Sequence, residues 1–144
     1  MRVSGILASK GATVTTISPQ ASVADVADVL RLRGVGALVV STDGRHIEGI
    51  ITERDVVCRL AERGELALSE SVTTVMNDQV RTCAPEDHAE ELMRLMTEHR
   101  IRHLPVEVDG VLSGIVSIGD VVKWRVTELE DETRHLHDYI TTGR

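Results

Sequence analysis

The chain carries one unit twice, and this repetition constrains its fold more than any other feature. Residues 14–19 read VTTISP and residues 80–85 read VRTCAP, while residues 49–55 read GIITERD and residues 114–120 read GIVSIGD. A repeated unit of this size usually cannot bury its apolar face alone. We therefore expect the two copies to pack against each other with pseudo-twofold symmetry and to leave a groove in which a small ligand can bind.

Composition limits the classes of protein to which the chain can belong. Of its 144 residues, 42% are hydrophobic, which is enough for a continuous core, and only 1% are aromatic, so the core must be aliphatic. A net charge of −7 makes nucleic acid an unfavourable partner. No apolar run approaches the roughly 18 residues that span a bilayer, and the N-terminus lacks a signal-like segment. We therefore predict a cytoplasmic protein with no membrane contact.

Each copy begins with a short strand and an amphipathic helix. In the first copy, apolar residues recur at helical spacing from Val23 to Leu30, with Ser22 as the cap before them and Gly34 as the stop after them. In the second copy Arg100 occupies the place of Gly34. We therefore expect the two helices to end differently.

A hairpin and a second helix complete each copy. The pairs Asp43-Gly44 and Asp109-Gly110 separate apolar runs at 37–40 and 47–51, and at 104–108 and 111–116. Asp-Gly between two such runs is a strong hairpin signal, because both residues tolerate positive φ. A helix is then predicted from Glu53 to about Arg63, and another from Gly119 onward.

The order of elements predicts an α/β (α+β) fold made of two β-α-β-β-α repeats. The first repeat spans residues 1–64 and includes a short prelude at residues 3–7, which resembles residues 72–76. The second spans residues 65–125, and a helical extension covers residues 126–144. No Pro-rich or Gly-rich linker separates the copies, so we expect them to pack through their sheets.

The motif Gly-x-x-Thr/Ser-x-x-Asp after each hairpin resembles that of the cystathionine β-synthase (CBS) domain. The hydroxyl and the carboxylate of this motif are Thr52 and Asp55 in the first copy, and Ser117 and Asp120 in the second. The resemblance covers about residues 3–125 and implies a stand-alone tandem pair, known as a Bateman module. It also implies clefts between the repeats that bind AMP, ADP, ATP, NAD or S-adenosylmethionine, assembly into homodimers, and regulation of a partner protein. The ribose and base that this motif recognises are common to all these ligands.

Two interpretations of this motif remain open. A hydroxyl followed three residues later by a carboxylate forms a capping box that satisfies backbone N–H groups at a helix start. The same helix start suits a phosphate, and an ionised Asp55 or Asp120 can accept hydrogen bonds from both hydroxyls of a ribose. The two roles are compatible, and the resemblance assigns the ribose role to both aspartates.

Further candidates surround these motifs. The resemblance assigns Arg102 and His103 to phosphate contacts, and Arg54 can supply charge where the first copy has none. The Asp120 site is expected to combine residues 35–37 near the base with Arg102 and His103 near the phosphate. Lys10 can reach a phosphate or remain solvated. The complete set of candidate binding residues is Lys10, Gly11, Ala12, Val35, Gly36, Ala37, Thr52, Arg54, Asp55, Ile101, Arg102, His103, Ser117, Gly119 and Asp120.

Catalysis is not predicted. The chain has no nucleophile elbow, no phosphate-cradling Gly-x-x-x-x-Gly-Lys and no His-Glu-x-x-His metal pair, so neither a catalytic residue nor a metal site is expected. The alternative to a nucleotide sensor is a ligand-independent dimeric scaffold, in which both motifs serve only as caps.

The last predicted helix carries a continuous apolar seam. Its members are spaced 4-3-4-3-4: Val122, Val126, Leu129, Thr133, Leu136 and Ile140. The helix can fold back on its own module, or it can contact a second copy or a target protein. We favour contact with a second copy.

Overall fold

The computed structural model describes residues 1–143 and shows a mixed α/β fold with two small sheets. The short strand expected at the start of the second copy is reduced to a single parallel bridge between Cys83 and Val106. Its elements, in chain order, are α1 (Val3–Lys10), β1 (Thr16–Ile17), α2 (Val23–Arg33), β2 (Ala37–Val40), β3 (Gly49–Thr52), α3 (Glu53–Arg63), a 3₁₀ helix (Gly64–Ser69), α4 (Val72–Val75), α5 (Ala89–His99), β4 (His103–Val108), β5 (Val111–Ser117) and α6 (Ile118–Thr142). The boundaries proposed for the repeats stay predictions. Arg144, the last residue of the predicted extension, lies outside the described residues.

Both predicted hairpins are present, with different turns. In one sheet β1 runs parallel to β2, and β2 pairs with β3 in antiparallel fashion; in the other, β4 and β5 are antiparallel. Asp109 and Gly110 form a two-residue turn with φ of 50° and 76°. The first hairpin instead has a longer loop, and β3 begins at Gly49 rather than at residue 47. The Asp43 carboxylate holds this loop by accepting hydrogen bonds from the backbone N–H groups of residues 45 and 46.

The ends of α2 and α5 correct one expectation. Gly34 and Arg100 both adopt the left-handed conformation, with φ of 62° and 53°. Their backbone N–H groups donate to equivalent carbonyls, those of Leu30 and Met96. The two helices therefore end alike, because the same chain reversal is required in both repeats, and Arg100 adopts a conformation that costs a non-glycine residue about 1–2 kcal/mol.

The two short prelude helices are exchanged between the cores. Val3 and Ile6 of α1 are buried with Leu104 and Trp124 of the second repeat. Val72 of α4 is buried in the other core, whose members come from the first repeat. Each core is therefore completed by a helix that precedes the other repeat in sequence, and the two repeats are interlocked.

The glycine that opens each repeated motif lies directly beneath a prelude side chain. A Cβ on Gly49 would lie 3.0 Å from Met76 Cγ and closer still to its sulfur. A Cβ on Gly114 would lie 2.9 Å from both Cδ atoms of Leu7. The exchange of preludes therefore explains why glycine stands at this position in both copies.

The final helix leaves the body of the protein. Val121 and Trp124 are buried, whereas the apolar seam stays exposed along its whole length: Leu136 is 63% exposed and Ile140 77%. The possibility that α6 folds back on its own module is therefore wrong for this seam. Among residues 1–143, no helix combines the length and apolar character that a bilayer-spanning segment requires.

Candidate functional site

Three helices begin with the same reciprocal cap, so the capping interpretation of the motif is confirmed. In each, the hydroxyl accepts a hydrogen bond from the N–H three residues on, and the aspartate accepts one from the N–H of the capping residue. The pairs are Ser22 with Asp25, Thr52 with Asp55, and Ser117 with Asp120. In the second pair, Asp55 uses Oδ2 for Thr52 N at 2.9 Å. Within residues 1–143 its Oδ1 takes no hydrogen bond, so one oxygen can still accept from a ligand.

Asp55 faces a cavity of about 270 Å³ between the two repeats. Its lining comes from β2, β3 and α3 on one side and from the chain before and within β4 on the other. The lining residues are Gly36, Ile50, Thr52, Arg54, Asp55, Asn77, Arg100, Ile101, Arg102 and His103. The cavity therefore places an acidic acceptor and a hydroxyl opposite basic side chains of the other repeat.

Three guanidinium groups make one end of this cavity basic. Arg54, Arg100 and Arg102 are exposed and line both the cavity and an open hollow of about 540 Å³ beside it. None of the three forms an ion pair with another part of residues 1–143. In a chain with a net charge of −7, a cluster of cations without carboxylate partners favours an anionic ligand.

A second hollow continues from the cavity beside Ile50 and Asn77. It measures about 340 Å³, shares Ile50, Asn77, Ile101 and His103 with the cavity, and is otherwise lined by Gln79, Val80, Arg81 and His99. The backbone groups of Ile50 and Asn77 exchange two hydrogen bonds of 2.9 Å, which fix this wall. Aliphatic side chains beside fixed backbone groups suit a flat heterocycle.

His103 lies where the two repeats meet. A Cβ on Gly36 would lie 3.3 Å from the His103 ring, so the absence of a side chain at Gly36 lets the ring approach. Burial, assisted by the positive charge of Arg102, lowers the pKa of His103 below its usual value, and the carboxylates of Glu53 and Asp120 oppose this only in part. His103 is therefore neutral near pH 7, which makes it a hydrogen-bonding group rather than a fixed cation.

Asp120 differs from Asp55 because a cation already pairs with it. Lys10 Nζ lies 2.6 Å from Asp120 Oδ2 and donates to the Ile115 carbonyl oxygen at 2.9 Å. Burial alone would raise the pKa of Asp120, but the hydrogen bonds from Lys10 and the Ser117 backbone outweigh it and hold that pKa below its ordinary value. Lys10 and the cap both use Oδ2, so within residues 1–143 Oδ1 of Asp120 takes no hydrogen bond, but Lys10 neutralises much of the charge that this carboxylate could offer to a ligand.

The structure brings part of the predicted set together. The Asp55 cavity contains seven of the candidates: Gly36, Thr52, Arg54, Asp55, Ile101, Arg102 and His103. Lys10, Ser117 and Asp120 meet at the other motif. The remaining five do not line the Asp55 cavity in the described chain: Gly11, Ala12, Val35, Ala37 and Gly119.

Three lining residues were absent from the predicted set. Arg100 belongs to the same basic run as Arg102. The sequence analysis considered Arg100 only as the residue at the end of a helix, so its position at the cavity was not predicted. Asn77 is the counterpart of Lys10, so the repeat itself pointed to it. Ile50 is part of the repeated motif but carries no polar group that would single it out.

The fold and the cleft define a protein made of two packed α/β repeats, and comparison identifies its family. The family model described as CBS domain matches residues 8–62 and again residues 72–127. The chain therefore belongs to the CBS-domain family and contains two such domains in tandem. Modules of this kind are generally regulatory and ligand-binding rather than catalytic, and they commonly bind adenosine ligands.

Known relatives agree with this assignment. A mitochondrial CBS domain-containing protein of Arabidopsis thaliana is 39% identical over 126 residues, covering 85% of this chain but only 61% of its own length. The crystal structure of a CBS-domain containing protein from Agrobacterium tumefaciens superposes with a TM-score of 0.85 at 41% identity, covering 87% of this chain and 99% of that one. A hexameric CBS-CP12 protein from bloom-forming cyanobacteria superposes with a TM-score of 0.73 at 28% identity, covering 85% and 70%.

Proposed function

We propose that this CBS pair is a sensor that binds an adenine nucleotide in the Asp55 cavity and regulates a partner protein. The observation that supports this most is the joint placement of the Asp55 carboxylate, the Thr52 hydroxyl and three arginines without carboxylate partners around one cavity. A nucleotide presents a diol, a heterocycle and phosphates, and each has a complementary group here.

The proposed orientation places each part of the ligand beside a matching group of the cavity. Asp55 Oδ1 accepts hydrogen bonds from the ribose hydroxyls while Oδ2 keeps its capping role. The base lies toward Ile50 and Ile101, and the phosphates lie toward Arg54 and Arg102. Charge-assisted hydrogen bonds at both polar positions would each contribute about 1.5–3 kcal/mol.

We propose further that the two motifs are not equivalent. Lys10 pairs at 2.6 Å with Asp120 Oδ2, the oxygen that also caps the helix, so the negative charge that Asp120 Oδ1 could offer to a ligand is already largely neutralised. Asp55 has no such cationic partner within residues 1–143. One nucleotide per chain, at Asp55, is therefore expected before any second one.

Thermal shift and titration calorimetry with AMP, ADP, ATP, NAD and S-adenosylmethionine test the proposal. A ligand that binds only the folded cavity stabilises it by about 2.7 kcal/mol at a concentration 100 times its Kd. At least one of the five should raise Tm and bind with a stoichiometry near one. If none does so at millimolar concentration, the nucleotide proposal fails.

The repeated caps provide matched variants. Asp55→Asn keeps an acceptor for the cap but removes the negative charge offered to the diol, so nucleotide affinity should fall at least tenfold. Asp25→Asn makes the same change in the α2 cap, whose residues do not line the cavity, and should leave affinity unchanged. Asp120→Asn should change affinity less than threefold. A loss of affinity in the Asp120 variant alone would place the ligand at the other motif.

The second candidate is a scaffold that acts without a ligand, and the exposed seam on α6 favours it. In that case Asp55→Asn and Asp25→Asn would lower stability similarly and neither protein would respond to nucleotides.

Cytoplasmic residence remains part of our proposal; the Arabidopsis relative is described as mitochondrial.

A further inference from the structure

The exposed end of α6 needs a partner along its length. Trp124 is buried against the second repeat, whereas every residue from 129 to 143 is exposed. An isolated helix of about this length is marginal in water. Five large apolar side chains of the seam nevertheless face solvent, namely Val122, Val126, Leu129, Leu136 and Ile140.

The spacing of the seam assigns each residue to a position of a coiled-coil heptad. Steps of four and three alternate from Val122 to Ile140, so the d positions are 122, 129 and 136 and the a positions are 126, 133 and 140. The seam spans about 27 Å at the helical rise of 1.5 Å per residue. It is therefore long enough for six core layers.

The residue types at these positions favour two strands. All three a positions are β-branched, as Val126, Thr133 and Ile140, and two of the three d positions are leucine, as Leu129 and Leu136. β-Branched residues at a with leucine at d favour parallel two-stranded coils. We propose that α6 of two copies forms a parallel two-stranded coiled coil over residues 122–140.

The charges beside the seam support the parallel arrangement. In a parallel coil each g position faces the e position five residues further along the second copy. Arg125 at g then faces Glu130 at e of the second copy, and Glu132 at g faces His137 at e. Each of these pairs opposes a carboxylate to a basic side chain.

An antiparallel arrangement opposes like charges instead. The register that keeps all six core layers sets e against e and g against g. Glu130 then faces Glu130 of the second copy, and Glu132 faces Glu132. Like charges at such close positions are destabilising, so the charge pattern disfavours this arrangement.

The proposal concerns assembly and does not depend on nucleotide binding, because none of the seam residues lines the Asp55 cavity. It would bring the two cavities of a dimer to the same end of the coil. A regulated partner protein would thus meet two copies in one orientation.

Disulfide trapping in the full chain tests the arrangement. In a Cys58→Ser background, which removes the exposed native thiol and leaves the buried Cys83, Thr133→Cys places a thiol at an a position. In a parallel coil this position faces itself, so mild oxidation should convert nearly all of the chain into a covalent dimer. Asp131→Cys lies at the outermost f position and should remain mostly uncrosslinked.

The same experiment can overturn the proposal. In an antiparallel coil residue 133 faces residue 129, so crosslinking would require a mixture of the Thr133→Cys and Leu129→Cys proteins. Arg125→Glu and Glu130→Arg should each weaken dimerisation in sedimentation equilibrium about threefold or more, and the double variant should restore it. Weak coils associate at concentrations on the order of 100 micromolar, so a native chain that is still monomeric at that concentration contradicts a parallel coil. Crosslinking that occurs only in the mixture contradicts it as well.

Discussion

Lys10 Nζ lies 2.6 Å from Asp120 Oδ2, although the two residues stand at opposite ends of the chain. The equivalent aspartate of the first repeat, Asp55, pairs with no basic side chain in the described part of the chain. The repeats are therefore alike in backbone but different in charge at their motifs, and this difference can be measured.

Replacing Lys10 should lower stability in a pH-dependent way. The pKa of Asp120 is held below its ordinary 3.8 in the folded protein, so the stability gained from its ionised form is present above that pH and is lost as the pH falls through the lower folded pKa. Lys10→Met should thus reduce the free energy of unfolding by about 1 kcal/mol at pH 7 and by less below pH ~3.8. Urea titrations at both pH values measure the difference.

Lys123 provides the control for this variant, since it lines a hollow of about 170 Å³ together with Lys10 and Asp120 and does not pair with the carboxylate. Lys123→Met should show no pH-dependent loss. Equal losses for the two lysine variants at both pH values would contradict a specific role for the ion pair.

His103 should make stability depend on pH in a second window. Its folded pKa lies below the ordinary 6.5, so the unfolded chain binds the proton more readily, and stability is lost as the pH falls from 6.5 through the folded pKa. His103→Gln should flatten the Tm profile between pH 7.5 and 5.5 (a range set on either side of the unperturbed histidine pKa, about 6.5). His135→Gln, on the exposed part of α6, should leave the profile of the native chain unchanged.

The left-handed backbone of Arg100 should cost the protein stability, while its side chain should contribute to phosphate binding. Arg100→Gly removes the cost of a left-handed arginine, about 1–2 kcal/mol, while glycine's greater freedom in the unfolded chain offsets part of the gain. We expect a net stabilisation of about 0.5–1 kcal/mol together with weaker binding of phosphate-bearing ligands. Chemical denaturation and calorimetry with adenosine and AMP separate the two effects, because adenosine has no phosphate to lose. Gly34→Arg, the reverse change, should destabilise the protein.

Alanine at the motif glycines should be destabilising to different extents. In Gly114→Ala the new methyl group meets both terminal methyl carbons of Leu7 at 2.9 Å, whereas in Gly49→Ala it meets the flexible side chain of Met76. Overpacking costs about 1–3 kcal/mol, and we expect Gly114→Ala near the upper end and Gly49→Ala near the lower. Adding Leu7→Ala to the first variant should recover part of the loss in a double-mutant cycle. Equal costs at both glycines, with no recovery, would argue against this packing.

Local patterns allowed the elements of each repeat to be predicted. The Asp-Gly turn at Asp109 and the hydroxyl-carboxylate caps depend on neighbouring residues only, and the structure contains both. The resemblance to the CBS domain followed from the same motifs, and the family match confirms it.

Features that depend on contacts between distant parts of the chain could not be predicted from the sequence. The exchange of α1 and α4 between cores has no local signature, because a short apolar helix packs equally well against either repeat. The ion pair of Lys10 with Asp120 follows from that exchange. The common end of α2 and α5 was missed for another reason: a helix stop is identified by glycine, and Arg100 gives no such signal.

The exchange also fixes the order in which a growing polypeptide can mature at the ribosome. The earlier core can close once Val72 has emerged, because α4 supplies its last piece. The apolar face of α1, including Val3 and Ile6, has to wait until Trp124 has been synthesised. Helix α1, which is translated before both repeats, is thus among the last elements to be buried, and a nascent chain that stalls earlier leaves the apolar face of α1 exposed to solvent.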